Sequence, residues 1–195
     1  MIIGAPLGWF APGRLVENAV VVIERGSISF AGPASEAPTG EEEAIEVDGF
    51  LMPGVVDRHV HIGLSDPIAV VTGGVTAVRD LGWPAQTIFS LCEASEAPSF
   101  KGPLIRGVGP MITARGGYPT RSGWAPPGTG REVQGAEDAA STARELLERG
   151  AAVLKVALNS DAGPTLSDEE LVAICDAAHE AETMVTAHAQ GRGQV

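Results

Sequence analysis

The spacing of apolar and polar residues changes near residue 50, and the two parts of the chain predict different kinds of structure. Before that point, short apolar runs at residues 19–24 (AVVVIE) and 27–31 (SISFA) flank an Arg25-Gly26 step, which predicts a β-hairpin. Residues 33–43, rich in Pro, Gly and Glu, predict an exposed loop. Residues 1–50 are therefore expected to form the N-terminal part of a small β-sandwich-like domain.

From residue 51 onward, apolar segments alternate with amphipathic segments that have helical spacing. One helix is predicted to begin with a capping box, because Ser167 is followed three residues later by Glu170. The alternation predicts an α/β fold with a parallel sheet covered by helices. The predicted strands are residues 53–61, 75–81, 104–113, 153–159 and 184–189, and the predicted helices are residues 66–71, 85–96, 136–149 and 167–181.

Two architectures fit this alternation, an open doubly wound sheet and a (β/α)8 TIM barrel. No GxGxxG motif follows the first predicted strand, and polar residues lie near the carboxyl ends of several strands, which favours the barrel. The five strands take up about 145 residues, whereas a whole barrel takes about 250. Residues 51–195 are therefore expected to form an incomplete TIM barrel of about five βα units.

Composition narrows the partners and the compartment. The 195 residues are 44% hydrophobic and 19% charged, with a formal net charge of -12. An acidic surface disfavours nucleic acid and anionic membranes, which bind clustered Lys and Arg. The apolar runs are shorter than the roughly 20 residues of a membrane-spanning helix, and the first residues do not resemble a signal peptide. We expect a cytoplasmic protein that binds neither nucleic acid nor membrane.

The strongest candidate for chemistry is the segment 53–61, PGVVDRHVH. His59 and His61 are two residues apart on a predicted strand, so their side chains share a face and can bind one metal ion. Asp57 shares that face and makes it polar. The alternative, an ordinary pair of histidines at a strand end, is disfavoured by the surrounding Pro-Gly and Asp residues.

Lys155, within AAVLKVALN, is the second candidate, because lysine occurs elsewhere only at Lys101. A buried ammonium is costly unless it is paired or loses its proton. Reaction with carbon dioxide gives a carbamate whose two oxygens can bridge two metal ions. The alternative, favoured by Lys155 taken alone, is an outward side chain whose ammonium reaches water. The strand pattern is compatible with either face.

His188, in ETMVTAHAQG, lies at the end of the fifth predicted strand and shares a face with Thr186. A lone histidine there is more often structural than a ligand. Its occurrence together with the HxH motif and Lys155 favours the metal-ligand interpretation. His179 lies on a predicted helix and is assigned to packing or capping.

These motifs resemble the amidohydrolase superfamily, in particular the branch with imidazolonepropionase and the Xaa-Pro dipeptidase-like enzymes. The resemblance rests on DGFLMPGVVDRHVH, GGVTAVRDLG and the block from GAAVLK to VTAHAQG, and it covers nearly the whole chain. It implies a hydrolase that cleaves C–N bonds in amides, cyclic amides or peptide-like substrates. It also implies that His59 and His61 bind the more buried metal, that carboxylated Lys155 bridges, and that His188 binds the second metal.

The same resemblance implies one or two divalent ions, with zinc suited to nitrogen ligands and a carbamate. It further implies a histidine on strand six and a catalytic aspartate on strand eight. Both positions fall beyond the five predicted units, so no catalytic residue is assigned in this chain. We therefore expect an N-terminal fragment that is inactive alone and that associates with copies of itself or with a complementary C-terminal half.

The long segment after the third predicted strand, ITARGGYPTRSGWAPPGTG, carries Arg115 and Tyr118. Loops at the carboxyl end of a barrel often contact substrate, so these two residues are candidates for binding a small-molecule or peptide-like substrate. Relatives commonly have a histidine after the paired glycines, where Tyr118 stands, and this departure leaves the polarity of the substrate open. A solvated Gly/Pro-rich loop is the alternative.

Two other hypotheses remain open at the level of the whole chain. The first is a non-catalytic remnant or half-barrel that only binds metal weakly or packs with a partner chain. The second is a generic α/β protein with coincidental histidines, and it is disfavoured because three separate motifs would have to follow the family's order by chance.

Overall fold

The computed structural model describes residues 1–38 and 44–194. The chain divides into two compact units, Met1–Gly54 and Val55–Val195. Part of the loop predicted at residues 33–43 lies outside the described residues, and its beginning forms a short 3-10 turn, Ala34–Glu36.

The first unit is a five-stranded sheet. Its strands are Ile2–Ala11 (β1), Arg14–Glu24 (β2), Ser27–Pro33 (β3), Ala44–Glu46 (β4) and Phe50–Leu51 (β5). Strands β1, β2 and β3 are antiparallel neighbours, and β4 and β5 pair with β1 in parallel. The predicted hairpin is confirmed: Arg25 and Gly26 connect β2 to β3 with φ values of 52° and 80°, the positive φ at both central residues that a tight hairpin turn requires.

The second unit alternates parallel strands with helices. Its strands are Val55–Val60 (β6), Val75–Asp80 (β7), Leu104–Gly107 (β8), Met111–Ala114 (β9), Gly130–Val133 (β10), Leu154–Asn159 (β11) and Val185–Gln190 (β12), and its helices are Pro67–Thr72 (α1), Ala85–Ser95 (α2), Ala136–Glu148 (α3) and Asp168–Glu180 (α4). One sheet has the order β6-β7-β8 and the other β10-β9-β11-β12. All pairs within these sheets are parallel, which confirms the predicted α/β class.

The third predicted strand, residues 104–113, is interrupted. Gly109 has a φ of 78°, and Pro110 after it has no N–H to donate, so the chain leaves the extended conformation between β8 and β9. Main-chain hydrogen bonds continue through the break, from Val108 to the Asp80 carbonyl and from Ala152 to the Gly107 carbonyl. The short strand β10, which the sequence pattern did not predict, pairs with β9.

All four predicted helices are confirmed, with bounds within one residue of the prediction. The capping box at α4 is also confirmed. The Glu170 N–H donates to Ser167 Oγ at 3.2 Å, and the Ser167 N–H donates to Glu170 Oε2 at 2.8 Å. None of the helices that the structure describes is long and apolar enough to span a membrane.

The largest buried apolar cluster fixes which way β11 faces. Leu154 and Val156 pack in this cluster with Leu146 of α3 and Ile174 of α4. Because neighbouring residues of a strand point to opposite faces, Lys155 lies on the face of β11 away from these helices. The sequence pattern was compatible with either face for Lys155, and the packing of its two neighbours decides between them.

Candidate metal centre

Strand register brings two of the proposed ligands, Lys155 and His188, to the same face of the sheet with the order β10-β9-β11-β12. Ala157 of β11 is aligned with His188 of β12, and Lys155 shares the face of Ala157 because it is two residues away. His59 lies within β6 and His61 directly follows that strand, with their ring centroids 6.0 Å apart in an edge-on arrangement. All four residues lie on strands or directly after a strand, which gives them a rigid support.

Two aromatic residues of the long loop after β9 contact histidines from different strands. The Tyr118 ring stacks on the His188 ring, with centroids 4.7 Å apart and planes inclined by 18°. The Trp124 ring lies 4.5 Å from the His61 ring, and its Nε1–H donates to the Tyr118 hydroxyl oxygen at 3.1 Å. A continuous series of ring contacts and one hydrogen bond therefore connects His61 to His188.

The orientation of His61 is set by backbone groups around Asp80. His61 Nδ1 lies 3.0 Å from the Gly82 carbonyl oxygen. The buried Asp80 carboxylate accepts hydrogen bonds from the Gly82 N–H at 2.9 Å and from the Ile62 N–H at 2.7 Å. A neutral His61 that donates from Nδ1 to this carbonyl keeps its Nε2 lone pair free, which is the form of histidine that binds a metal.

The local electrostatics favour neutral imidazoles. Burial lowers the pKa of His59, His61 and His188, and the charge of Lys155 lowers each of them further. Burial also lowers the pKa of Lys155 itself, with a smaller contribution from Arg79. These pKa shifts favour the uncharged form of the three histidines, which is the form that binds a metal.

Lys155 is the largest of the fully buried side chains among the described residues, with 1% of its surface exposed. No described residue accepts a hydrogen bond from its ammonium or forms an ion pair with it within the usual distances. The alternative of an outward lysine with its head in water is therefore wrong for this side chain.

The donor chemistry fits a divalent metal only in part. Within residues 1–38 and 44–194, no three His, Cys, Asp or Glu side chains are grouped closely enough to hold an ion. Lysine is outside that set of residue types, and a carbamate on Lys155 would add two oxygen donors beside the three histidines. Nitrogen and oxygen donors of these types are ones that divalent metals accept, and the four side chains remain candidates for holding an ion.

The two candidate substrate residues are placed differently. Tyr118 contacts His188, as described above, whereas Arg115 is exposed and makes no side-chain hydrogen bond to a described residue. His179, assigned to packing or capping, is exposed in the last turn of α4, where a basic side chain is placed for capping and not for core packing. Trp124 belongs to the same loop, which was expected to contact substrate, but its contact with His61 was not predicted.

Parallel strands with polar side chains gathered at their ends define an α/β protein of the kind in which barrel enzymes build their active sites. The sequence profile of the amidohydrolase family matches residues 67–194. The chain belongs to the amidohydrolase family.

Individual relatives agree with this assignment. Imidazolonepropionase of Caulobacter vibrioides (strain NA1000 / CB15N) is 47% identical over 66 residues, which are 31% of this chain and 16% of that protein. A prolidase solved in complex with N-methylphosphonate-L-proline is 26% identical with a TM-score of 0.77, covering 96% of this chain and 56% of the prolidase. A. niger ochratoxinase, at 23% identity and a TM-score of 0.83 over 99% of this chain and 56% of its own, shares the fold. The chain thus spans about half the length of these solved structures.

Proposed function

We propose that this chain contributes to a metal-dependent hydrolase that cleaves C–N bonds in amides, cyclic amides or peptide-like small molecules. The observation that carries the proposal is the buried Lys155, which has no hydrogen-bond or ion-pair partner among the described residues and lies on the same sheet face as His188. A side chain of this kind is costly as an ammonium, and conversion to a carbamate gives an anion whose charge bound divalent cations would neutralise. Family membership and the imidazolonepropionase and prolidase relatives support the reaction class.

The proposed ligands are His59, His61, carboxylated Lys155 and His188, and zinc is the ion that best suits this set. Bound divalent ions would supply an acidified water and polarise the scissile carbonyl. Two further tasks, orienting a ligand and preparing Lys155 for carboxylation, belong to groups of the chain itself. The Gly82 carbonyl orients His61, and burial lowers the pKa of the Lys155 amine, which favours the uncharged form that adds to carbon dioxide with loss of one proton.

We further propose that Tyr118 and Trp124 form one wall of the substrate site. The Tyr118 oxygen accepts the hydrogen bond from Trp124, so its own O–H remains available to donate to a polar group of the substrate. The two ring faces suit a planar or apolar group beside the scissile bond. Arg115, exposed on the same loop, is a candidate for binding a carboxylate at the outer end of the substrate.

The first test is the metal content of the 195-residue chain. After incubation with zinc and bicarbonate followed by dialysis, elemental analysis should find bound zinc in the unmodified chain and a loss of it when His59 and His61 are both changed to Ala. His179→Ala is the matched control, because this exposed histidine of α4 should leave the zinc content unchanged. Equal zinc in all three proteins would contradict the proposal.

A second candidate function is a half-barrel that packs with a partner chain and performs no chemistry. The observation that favours it is the lack of a closed group of three metal-ligating side chains among the described residues. The resemblance also implies further ligands on strands six and eight. Adding a polypeptide that carries those two strands distinguishes the functions: zinc-dependent hydrolysis of amide substrates supports the hydrolase, and inertness with every such segment supports the half-barrel.

A further inference from the structure

A buried amide lies beside one of the proposed ligands and has not been assigned a role. Asn159, the last residue of β11, is 6% exposed and is aligned with Gln190 of β12. Its Nδ2 lies 3.3 Å from Nε2 of His188 and 3.5 Å from Oε1 of Gln190. Its Oδ1 is buried and has no hydrogen-bond partner among the described residues.

The two ends of this amide have opposite consequences for His188. If Nδ2 faces the ring, His188 Nε2 must accept, the ring proton lies on Nδ1, and no lone pair remains for a metal. If the amide is turned by a half rotation, Nε2–H donates to Oδ1 and the lone pair of Nδ1 is free. The oxygen and nitrogen of an amide are nearly indistinguishable in shape, so the hydrogen-bonding demand decides between them.

We propose that Asn159 is a positioning residue for His188: its Oδ1 accepts the Nε2–H proton and directs the Nδ1 lone pair to the metal. This inference rests on the proposed function, because it assigns a metal-ligating atom to His188. In this orientation Oδ1 accepts from His188 Nε2–H, and a half rotation of the neighbouring Gln190 amide places its NH2 group, in place of Oε1, against the same oxygen. A partner of this kind fixes the tautomer and orientation of a ligating histidine.

Under this assignment, His61 and His188 carry their ring proton on different nitrogens. His61 Nδ1 lies against the Gly82 carbonyl, which leaves its Nε2 lone pair to hold a metal, whereas His188 Nε2 lies against Asn159, and donation from Nε2 would leave its Nδ1 lone pair for that purpose. One orienting acceptor belongs to the backbone and the other to a side chain. Only the second can be removed by substitution, and Asn159 is therefore the residue at which the role can be tested.

The tautomer is measured first, on the metal-free chain. Proton–nitrogen correlation spectra of the imidazole rings at about pH 8, above the usual histidine pKa of about 6.5, distinguish Nε2–H from Nδ1–H. His188→Gln identifies the His188 signals by their loss. The expected result is Nε2–H in the unmodified chain and in Asn159→Asp, which keeps an acceptor, and a mixture in Asn159→Leu. A ring protonated on Nδ1 in the unmodified chain overturns the inference.

Zinc affinity is the second readout, measured by competition with a chelating dye. Asn159→Leu should weaken zinc binding by about 10- to 100-fold, the usual effect of removing such a partner, and Asn159→Asp should restore most of it. Thermal unfolding checks that each variant is folded. Unchanged affinity in a folded Asn159→Leu contradicts the inference. If His59→Ala and His61→Ala also leave zinc binding unchanged, the proposed function itself fails, whereas the metal-free tautomer is decided independently.

Discussion

Asp80 shows how a single buried carboxylate organises one side of the site. It is fully buried, and its two oxygens accept from the N–H groups of Ile62 and Gly82, the residues that follow and orient His61. Burial raises the pKa of this carboxyl, against the lowering effect of the two N–H donors. Its geometric role therefore does not depend on contact with a substrate.

Replacing Asp80 by Asn should destabilise the fold and loosen His61. The amide retains one acceptor but places an NH2 group against a backbone N–H, which leaves that donor buried and unpaired at a cost of about 1–3 kcal/mol. Urea unfolding measures the loss, and zinc competition should show weaker binding. Asp66→Asn is the matched control: this exposed carboxylate caps α1 by accepting from Ile68, and Asn caps helices equally well. Equal stability of the two variants would show that Asp80 does not have this role.

Gly117 determines where Tyr118 lies. A Cβ added at Gly117 would lie 2.5 Å from the Pro164 carbonyl oxygen and 3.0 Å from the Ala114 carbonyl oxygen, and backbone atoms cannot move aside easily. Gly117→Ala should therefore cost about 1–3 kcal/mol and displace the Tyr118 ring from His188. Thermal unfolding and the His188 ring-proton shifts measure the two effects. Gly123→Ala, in the same loop with open space around it, should change neither.

At the scale of elements, α4 is fixed at its beginning by reciprocal hydrogen bonds. Glu170 accepts from the Ser167 N–H and also, through Oε1, from the Gly135 N–H directly before α3. Ser167→Ala should cost about 1 kcal/mol, and Glu170→Ala should cost more because two donors lose their acceptor. Urea unfolding measures both. Asp168→Ala removes a charge from the same first turn without removing either bond, so a loss as large as that of Glu170→Ala would contradict the argument.

The helices were predictable because their apolar period and end residues are local signals, as Ser167 and Glu170 show. Strand β10 was not, because only Val133 of its four residues is buried and its pairing with β9 is a long-range event. The same limit holds in the site. The sequence proposed His59, His61, Lys155 and His188 as ligands by residue type, spacing and family resemblance, and these roles stay predictions. It could not identify Asn159, which becomes noticeable only when β12 places His188 beside it.

At the scale of the whole molecule, the outer strands of the two parallel sheets are the features that bear on association between copies. Strand β6 is at one end of its sheet and is exposed along nearly its whole length, with Val55 and Val56 at 45% and 58% exposure. Exposed apolar strands at a sheet edge offer unpaired backbone groups to another chain. This favours the expectation that copies of the 195-residue chain associate with one another.

Placing a charge on this edge should reduce that association. In Val56→Lys, pairing of two β6 edges would bury an ammonium or bring two of them together, so sedimentation velocity should show a larger monomer fraction at micromolar concentration. Val172→Lys is the matched control. Val172 is 57% exposed on α4, so this substitution adds the same charge away from any strand edge. Each added Lys brings the net charge of -12 closer to zero and so weakens the repulsion between copies, and a similar rise in both variants would contradict the role of β6. A rise in Val56→Lys alone identifies β6 as the surface through which the copies associate.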